Sequence, residues 1–133
     1  LTPDAEIVAK IHAAGGTARL LHMVTQAANF AVDPWTACVC LFHDHDWEAD
    51  ALHHAAANGA FYVGAMGSVR TAETRRTAML ENGVAAAVVA RIKGPIGLMQ
   101  RSRDPGTLAL SVLAEIVDDY NRFTAPSSQS EAP

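Results

Sequence analysis

Residues 36–42, with the sequence TACVCLF, constrain the fold of this chain more than any other segment. The run is almost continuously apolar and shows no alternation of apolar and polar residues. A strand with this pattern is covered on both faces, which is typical of a parallel sheet flanked by helices. The sequence therefore predicts a buried parallel strand in a domain of the α/β class.

The next segments repeat the order strand, loop, helix. Residues 47–58 are predicted to form a helix capped by Asp46. A short apolar strand over 60–63, a glycine-rich turn over 64–68 and a helix over 69–82 follow. Two successive units of this kind imply right-handed crossovers and a parallel sheet.

Two elements are predicted before the buried strand. Residues 3–14 read as a helix with Thr2 as its N-cap and Pro3 in its first turn. Residues 17–24 read as a further strand. The N-terminal segment is thus expected to contribute to the sheet.

The C-terminal part is predicted to contain a short helix near 84–91, a turn over 93–97 and a helix near 106–123. The last helix carries a wide apolar stripe that can cover a sheet face; its members are Leu108, Val112, Leu113, Ile116, Val117 and Tyr120. The tail over 124–133 has no apolar periodicity and is predicted to be disordered, which leaves one domain over 1–123.

Charge and hydropathy exclude several classes of protein. Ten Lys and Arg residues face fourteen Asp and Glu residues, so no broad basic surface exists for a nucleic-acid backbone. No window approaches the roughly 18–20 apolar residues of a membrane helix, and the N-terminus lacks the pattern of a secretory signal. The cytoplasm is therefore the expected compartment.

Cys38 and Cys40 are two residues apart, so on a strand they lie on the same face. This geometry is poor for a mutual disulfide, and we expect reduced thiols.

The turn over 64–68 is the strongest candidate site, because ligands of open α/β sheets bind beyond the carboxyl ends of the strands. Gly64 and Gly67 would let the backbone approach a ligand, and Ser68 can cap the following helix. Arginines 70, 75 and 76 come next. The pattern fits a phosphate or pyrophosphate cradle, and equally an ordinary tight turn before a solvated basic helix face.

Residues 43–46 (HDHD), with His53 and His54 in the next helix, are of the types that bind zinc. Neighbouring residues on an extended segment point in opposite directions, and aspartates also suit a helix N-terminus. We therefore predict that His43 and Asp44 are polar residues that line a cleft, and we prefer this interpretation to a metal site. The sequence shows no Ser-His-Asp arrangement, Walker loop or HExxH helix.

Four segments in this order resemble the C-terminal Rossmann-like domain of the XdhC/CoxI family, the xanthine dehydrogenase accessory proteins. They are TACVCLFHD (36–44), FYVGAMGS with the following Arg70 and Thr71 (61–71), GPIGL (94–98) and LALSVLAEIV (108–117). The resemblance covers about 33–123 and implies a three-layer Rossmann-like domain with a mostly parallel sheet.

The resemblance also implies a function. Such accessory proteins bind the molybdenum cofactor, a pterin with a phosphate or dinucleotide tail, assist its sulfuration and deliver it to a molybdenum hydroxylase apoenzyme. The implied partners are that apoenzyme and a sulfurtransferase. The residues that would hold the phosphorylated tail are Gly64, Gly67, Ser68 and Arg70, and those that would line the cleft are His43, Asp44, Pro95 and Gly97.

Relatives begin this domain with a strand and a Gly-x-Gly-type loop, whereas this sequence begins at the following helix, so the first half of the domain is expected to be incomplete. The strand over 36–42 would then lie at an open edge that residues 17–24 or a second copy must cover, and we expect a dimer or larger assembly.

The leading prediction is an accessory protein without turnover of its own. An NAD(P)-dependent oxidoreductase is the first alternative, disfavoured by the absent loop and the lack of an evident acid/base pair. A non-catalytic oligomerising fragment is the second.

Overall fold

The computed structural model describes residues 1–42, 47–99 and 104–126. Its centre is a parallel sheet of three strands, in the order β1 (Ala37–Cys40), β2 (Tyr62–Ala65) and β3 (Ile92–Lys93). The α-helices are α1 (Ala5–Ala13), α2 (Glu48–Ala57), α3 (Val69–Glu81), α4 (Ala86–Val89) and α5 (Pro105–Thr124), and a 3₁₀ helix spans Val24–Ala28. The prediction of an α/β domain with a parallel sheet is confirmed.

Strand β1 is covered on both faces, as its apolar run predicts. Cys40 packs into a cluster with α2, whose buried members include Leu52 and Ala55. Val39 points to the other side, where it contacts a cluster that contains Val112 of α5. The layers are thus α2, the sheet and α5. Both cysteines are free thiols, and Cys38 and Cys40 share the α2 side of the strand.

Helices α3 and α5 begin at side-chain caps. The Ser68 hydroxyl accepts a hydrogen bond from the Thr71 N–H at the start of α3, and the Asp104 carboxylate accepts one from Thr107 at the start of α5. At the C-terminal end of α2, the Arg91 guanidinium donates to the carbonyl oxygen of Ala56. These contacts satisfy backbone groups that a helix end leaves open.

The prediction of a strand over 17–24 is wrong. Leu20 makes one isolated bridge to Thr2, and the chain turns into the 3₁₀ helix four residues later. The cause is local: the Gln26 side-chain oxygen accepts hydrogen bonds from the N–H groups of His22 and Met23. A side chain that binds the backbone in this way competes with sheet pairing.

Three predicted boundaries also need correction. Helix α1 begins at Ala5 because Asp4, not Thr2, accepts hydrogen bonds from the first-turn N–H groups. Strand β2 extends to Ala65, so Gly64 lies inside the strand rather than in the turn. Lys93, predicted in a turn, belongs to β3.

The apolar stripe of α5 covers the sheet over a narrower width than predicted. Leu108, Val112 and Ile116 pack on the core, whereas Leu113 and Val117 are 60% and 57% exposed. A sheet of three strands is too narrow to cover the rest of the stripe. The helix includes Thr124, the first residue of the predicted tail, and residues 127–133 lie outside the described part of the chain. No described helix has the length and apolar character needed to cross a membrane.

Strand β1 is an edge strand of the described sheet. Next to it lies a cavity of about 600 Å³, lined by residues 36–42 and, on the far wall, by Ile7 and Ile11 of α1. We call this space the edge groove. Helix α1 has no buried residue of its own, so its apolar side faces the groove rather than a packed neighbour.

Candidate functional site

The carboxyl ends of β1 and β2 lie side by side. Cys40 pairs with Ala65, and the N–H of Met66 donates to the Cys40 carbonyl oxygen over 2.9 Å. The chain then bends through residues 66–68 into α3. The bend therefore opens at the same edge of the sheet as the end of β1, which is where an open α/β sheet binds its ligands.

The bend requires glycine at its centre. Gly67 has a φ of +145°, and a Cβ at this position would lie 3.1 Å from the Cβ of Thr71. Gly67, Ser68 and Arg70 are exposed. The N-terminus of α3 directs N–H groups and the positive end of the helix dipole toward the same opening, so an anion placed there meets favourable electrostatics.

Gly64 has a packing role in this structure. It is buried in β2, and a Cβ there would lie 2.5 Å from Ile96 Cγ2 and 2.8 Å from the Tyr62 hydroxyl oxygen. Among the described residues that hydroxyl makes no hydrogen bond of normal geometry. Burial, with the negative charge of Glu115 second, raises the pKa of Tyr62 well above its ordinary value, so the phenol stays neutral.

Pro95 and Gly97 lie in the segment that follows β3. Pro95 is half-buried and follows a cis peptide bond. Gly97 is buried beneath α5, has a φ of +98°, and a Cβ there would lie 2.8 Å from Ser111 Oγ. Its N–H donates to the Glu115 carboxylate. Gly97 thus shapes the backbone of this segment from the α5 side.

Arg75 is not part of a solvated basic face. Its side chain is 8% exposed and forms a two-point ion pair with Glu48, with Nε–Oε2 of 2.9 Å and Nη2–Oε1 of 3.1 Å. It also donates to the carbonyl oxygen of Met66 over 3.0 Å. Arg70 and Arg76 are exposed, which is consistent with the alternative prediction of a solvated basic helix face. No local sequence signal indicates the pairing with Glu48, which is 27 residues away.

His43 and Asp44, predicted to line the cleft, lie outside the described residues. The same holds for Asp46, the predicted cap of α2, and for the rest of the HDHD run. Across 1–42, 47–99 and 104–126, no group of three or more His, Cys, Asp and Glu side chains is arranged to hold a metal ion. Of the predicted site, the structure places the bend and the start of α3 together, and Gly97 is buried under α5.

A parallel sheet with helices on both sides and a glycine bend at its carboxyl edge is typical of Rossmann-like domains. The family model of the XdhC Rossmann domain matches residues 3–116, and the chain belongs to this family. The chain is also 35% identical over 114 residues to the molybdenum cofactor insertion chaperone PaoD of Escherichia coli (strain K12). That match covers 85% of this chain and 36% of PaoD, so the chain spans about a third of the length of this relative. The resemblance inferred from the sequence motifs is confirmed.

Proposed function

We propose that this chain is the Rossmann part of an accessory protein that binds the molybdenum cofactor and assists its sulfuration and its insertion into a molybdenum hydroxylase. The observation that carries the proposal is the match to the XdhC Rossmann domain together with the similarity to a molybdenum cofactor insertion chaperone. The apoenzyme and a sulfurtransferase are the proposed partners. A cytoplasmic location stays a prediction.

The exposed bend is the proposed site for the phosphorylated tail of the cofactor. A phosphate at this position would meet the N–H groups at the start of α3, where Gly67 leaves the backbone open to close approach. Arg70, the second residue of α3, is exposed and can supply the neutralising charge. Gly64 supports the bend from within β2. Pro95 and Gly97, with His43 and Asp44, are proposed to form the rest of the cleft.

The test is a titration of the protein with the molybdenum cofactor, in which binding is monitored through the melting temperature and through a direct measurement of affinity. Arg70→Gln is expected to weaken binding about tenfold, the usual cost of losing one charged hydrogen bond to phosphate. Arg76→Gln is the matched control, since Arg76 is an exposed arginine of the same helix and is expected to leave the affinity unchanged.

Two outcomes would contradict the proposal. Stabilisation by NADPH but not by the molybdenum cofactor would favour an oxidoreductase. A chain stabilised by neither ligand would favour a domain that contributes an interface and binds nothing small.

We also propose that a second copy of this chain covers the edge of β1. The strand presents backbone N–H and C=O groups at the edge of the described sheet, and the edge groove beside it is apolar. Such edges pair readily with another strand. Sedimentation of the wild-type protein at micromolar concentration is expected to show a dimer or larger assembly, and a stable monomer would contradict this.

A further inference from the structure

The guanidinium group of Arg75 binds the segments that follow β1 and β2 and lies against the segment that follows β3. Its Nε and Nη2 bind Glu48, the first residue of α2, which comes after β1. Nη2 also donates to the carbonyl oxygen of Met66, directly after β2. Nη1 lies 3.1 Å from the position that a Cβ on Gly94, directly after β3, would occupy.

This arrangement is buried. The side chains of Arg75 and Glu48 are 8% and 1% exposed, so water competes little for their hydrogen bonds. A guanidinium group is planar and presents its N–H donors in a fixed fork, which sets both the distance and the orientation of the groups it binds. The absence of a side chain at Gly94 leaves room for the fork, because any Cβ there would press on Nη1.

The same group lies behind the bend. Arg75 Nη2 is 3.6 Å from the position of a Cβ on Gly67 and holds the carbonyl oxygen of the preceding residue, Met66. Nε and Nη2 of Arg75 bind Glu48 and the Met66 carbonyl oxygen, whereas Gly67 and Ser68 are exposed. Arg75 is thus placed to fix the shape of the bend without touching a ligand.

We propose that Arg75, oriented by Glu48, is the positioning residue of the candidate site. It holds the segments after β1 and β2 at fixed spacing, so that the bend over 66–68 has its binding shape before a ligand arrives. This preorganisation lowers the ordering cost of binding. The identity of the ligand rests on the proposed function, whereas the geometric role of Arg75 does not.

The first test is Arg75→Lys, which keeps the positive charge and the long side chain but replaces the fork with a single ammonium group. Hydrogen exchange at the amides of Met66 and Thr71, which donate to the Cys40 carbonyl oxygen and the Ser68 hydroxyl, is expected to become about tenfold faster. Exchange in the core, at Leu52 and Val112, is expected to stay unchanged. The dissociation constant for the molybdenum cofactor is expected to rise about tenfold. Arg76→Lys, the exposed neighbour, is the matched control and is expected to change none of these values.

A second variant, Glu48→Gln, keeps the size and the hydrogen-bonding oxygen of the side chain but removes its charge. It is expected to change exchange at the bend in the same direction as Arg75→Lys and by a smaller factor, because a neutral partner holds the guanidinium less firmly. Arg75→Lys tests whether a positive charge alone is sufficient at this position. Glu48→Gln tests whether the charge of Glu48 orients the guanidinium group.

The outcomes distinguish this proposal from the proposed function. Faster exchange across the whole chain in Arg75→Lys would show a purely structural role and would overturn the proposal, as would unchanged exchange at the bend. If the wild-type protein does not bind the molybdenum cofactor, the proposed function fails. The exchange of the bend amides then decides the positioning role by itself.

Discussion

Replacing Arg75 with alanine is expected to lower the free energy of unfolding by about 3–5 kcal/mol, measured by urea denaturation. The substitution removes the positive charge that faces the carboxylate of Glu48, whose side chain is 1% exposed. A buried charge that loses its counter-ion keeps the cost of its desolvation, which is why breaking a buried pair is so much more damaging than breaking an exposed one.

The control is the ion pair between Arg122 and Asp118 on α5. The Arg122 side chain is 74% exposed, and the pair spans one turn of the helix. Arg122→Ala is expected to cost no more than about 0.5 kcal/mol, the usual value for exposed pairs at this spacing. Equal losses in the two variants would show that burial of the Arg75–Glu48 pair has no energetic consequence.

The second large effect is expected from Gly64→Ala, which should lower the free energy of unfolding by about 3 kcal/mol. The added methyl group would lie 2.5 Å from Ile96 Cγ2 and 2.8 Å from the Tyr62 hydroxyl oxygen. Both of these side chains are buried, at 2% and 1% exposure, so neither can move aside without disturbing the packing of the sheet against α5.

Gly59→Ala separates this steric effect from backbone strain. Gly59 has a φ of +87°, and a Cβ there would meet no atom within 4 Å. Its replacement is expected to cost about 1–2 kcal/mol through the left-handed conformation alone. A smaller loss for Gly64→Ala than for Gly59→Ala, in the same urea titration, would contradict the packing role of Gly64.

The elements that the sequence predicted correctly are those with strong local signals. The apolar run over 36–42 identified β1 because burial on both faces leaves no polar alternation. Ser68 marked the start of α3 because its side chain binds a backbone group only three residues away. Such signals need no knowledge of the tertiary structure.

The failures have the opposite character. Residues 17–24 are apolar enough for a strand, yet strand pairing needs a neighbour that the periodicity does not reveal, and Gln26 offered the backbone a closer partner. The pairing of Arg75 with Glu48 depends on α2 and α3 meeting in the folded chain. The stripe of α5 was assigned too much buried area because the number of strands beneath it follows from the whole fold. Of the predicted site, the bend and the start of α3 are placed together, whereas Gly97 is buried under α5.

Helix α1 is expected to contribute little to the free energy of unfolding of the domain. Because none of its residues is buried, its detachment exposes little new apolar area and costs little free energy. We therefore expect it to fray independently while the remainder unfolds cooperatively. A strand inserted between α1 and β1 would link the two, and the helix would then melt together with the sheet in a single transition.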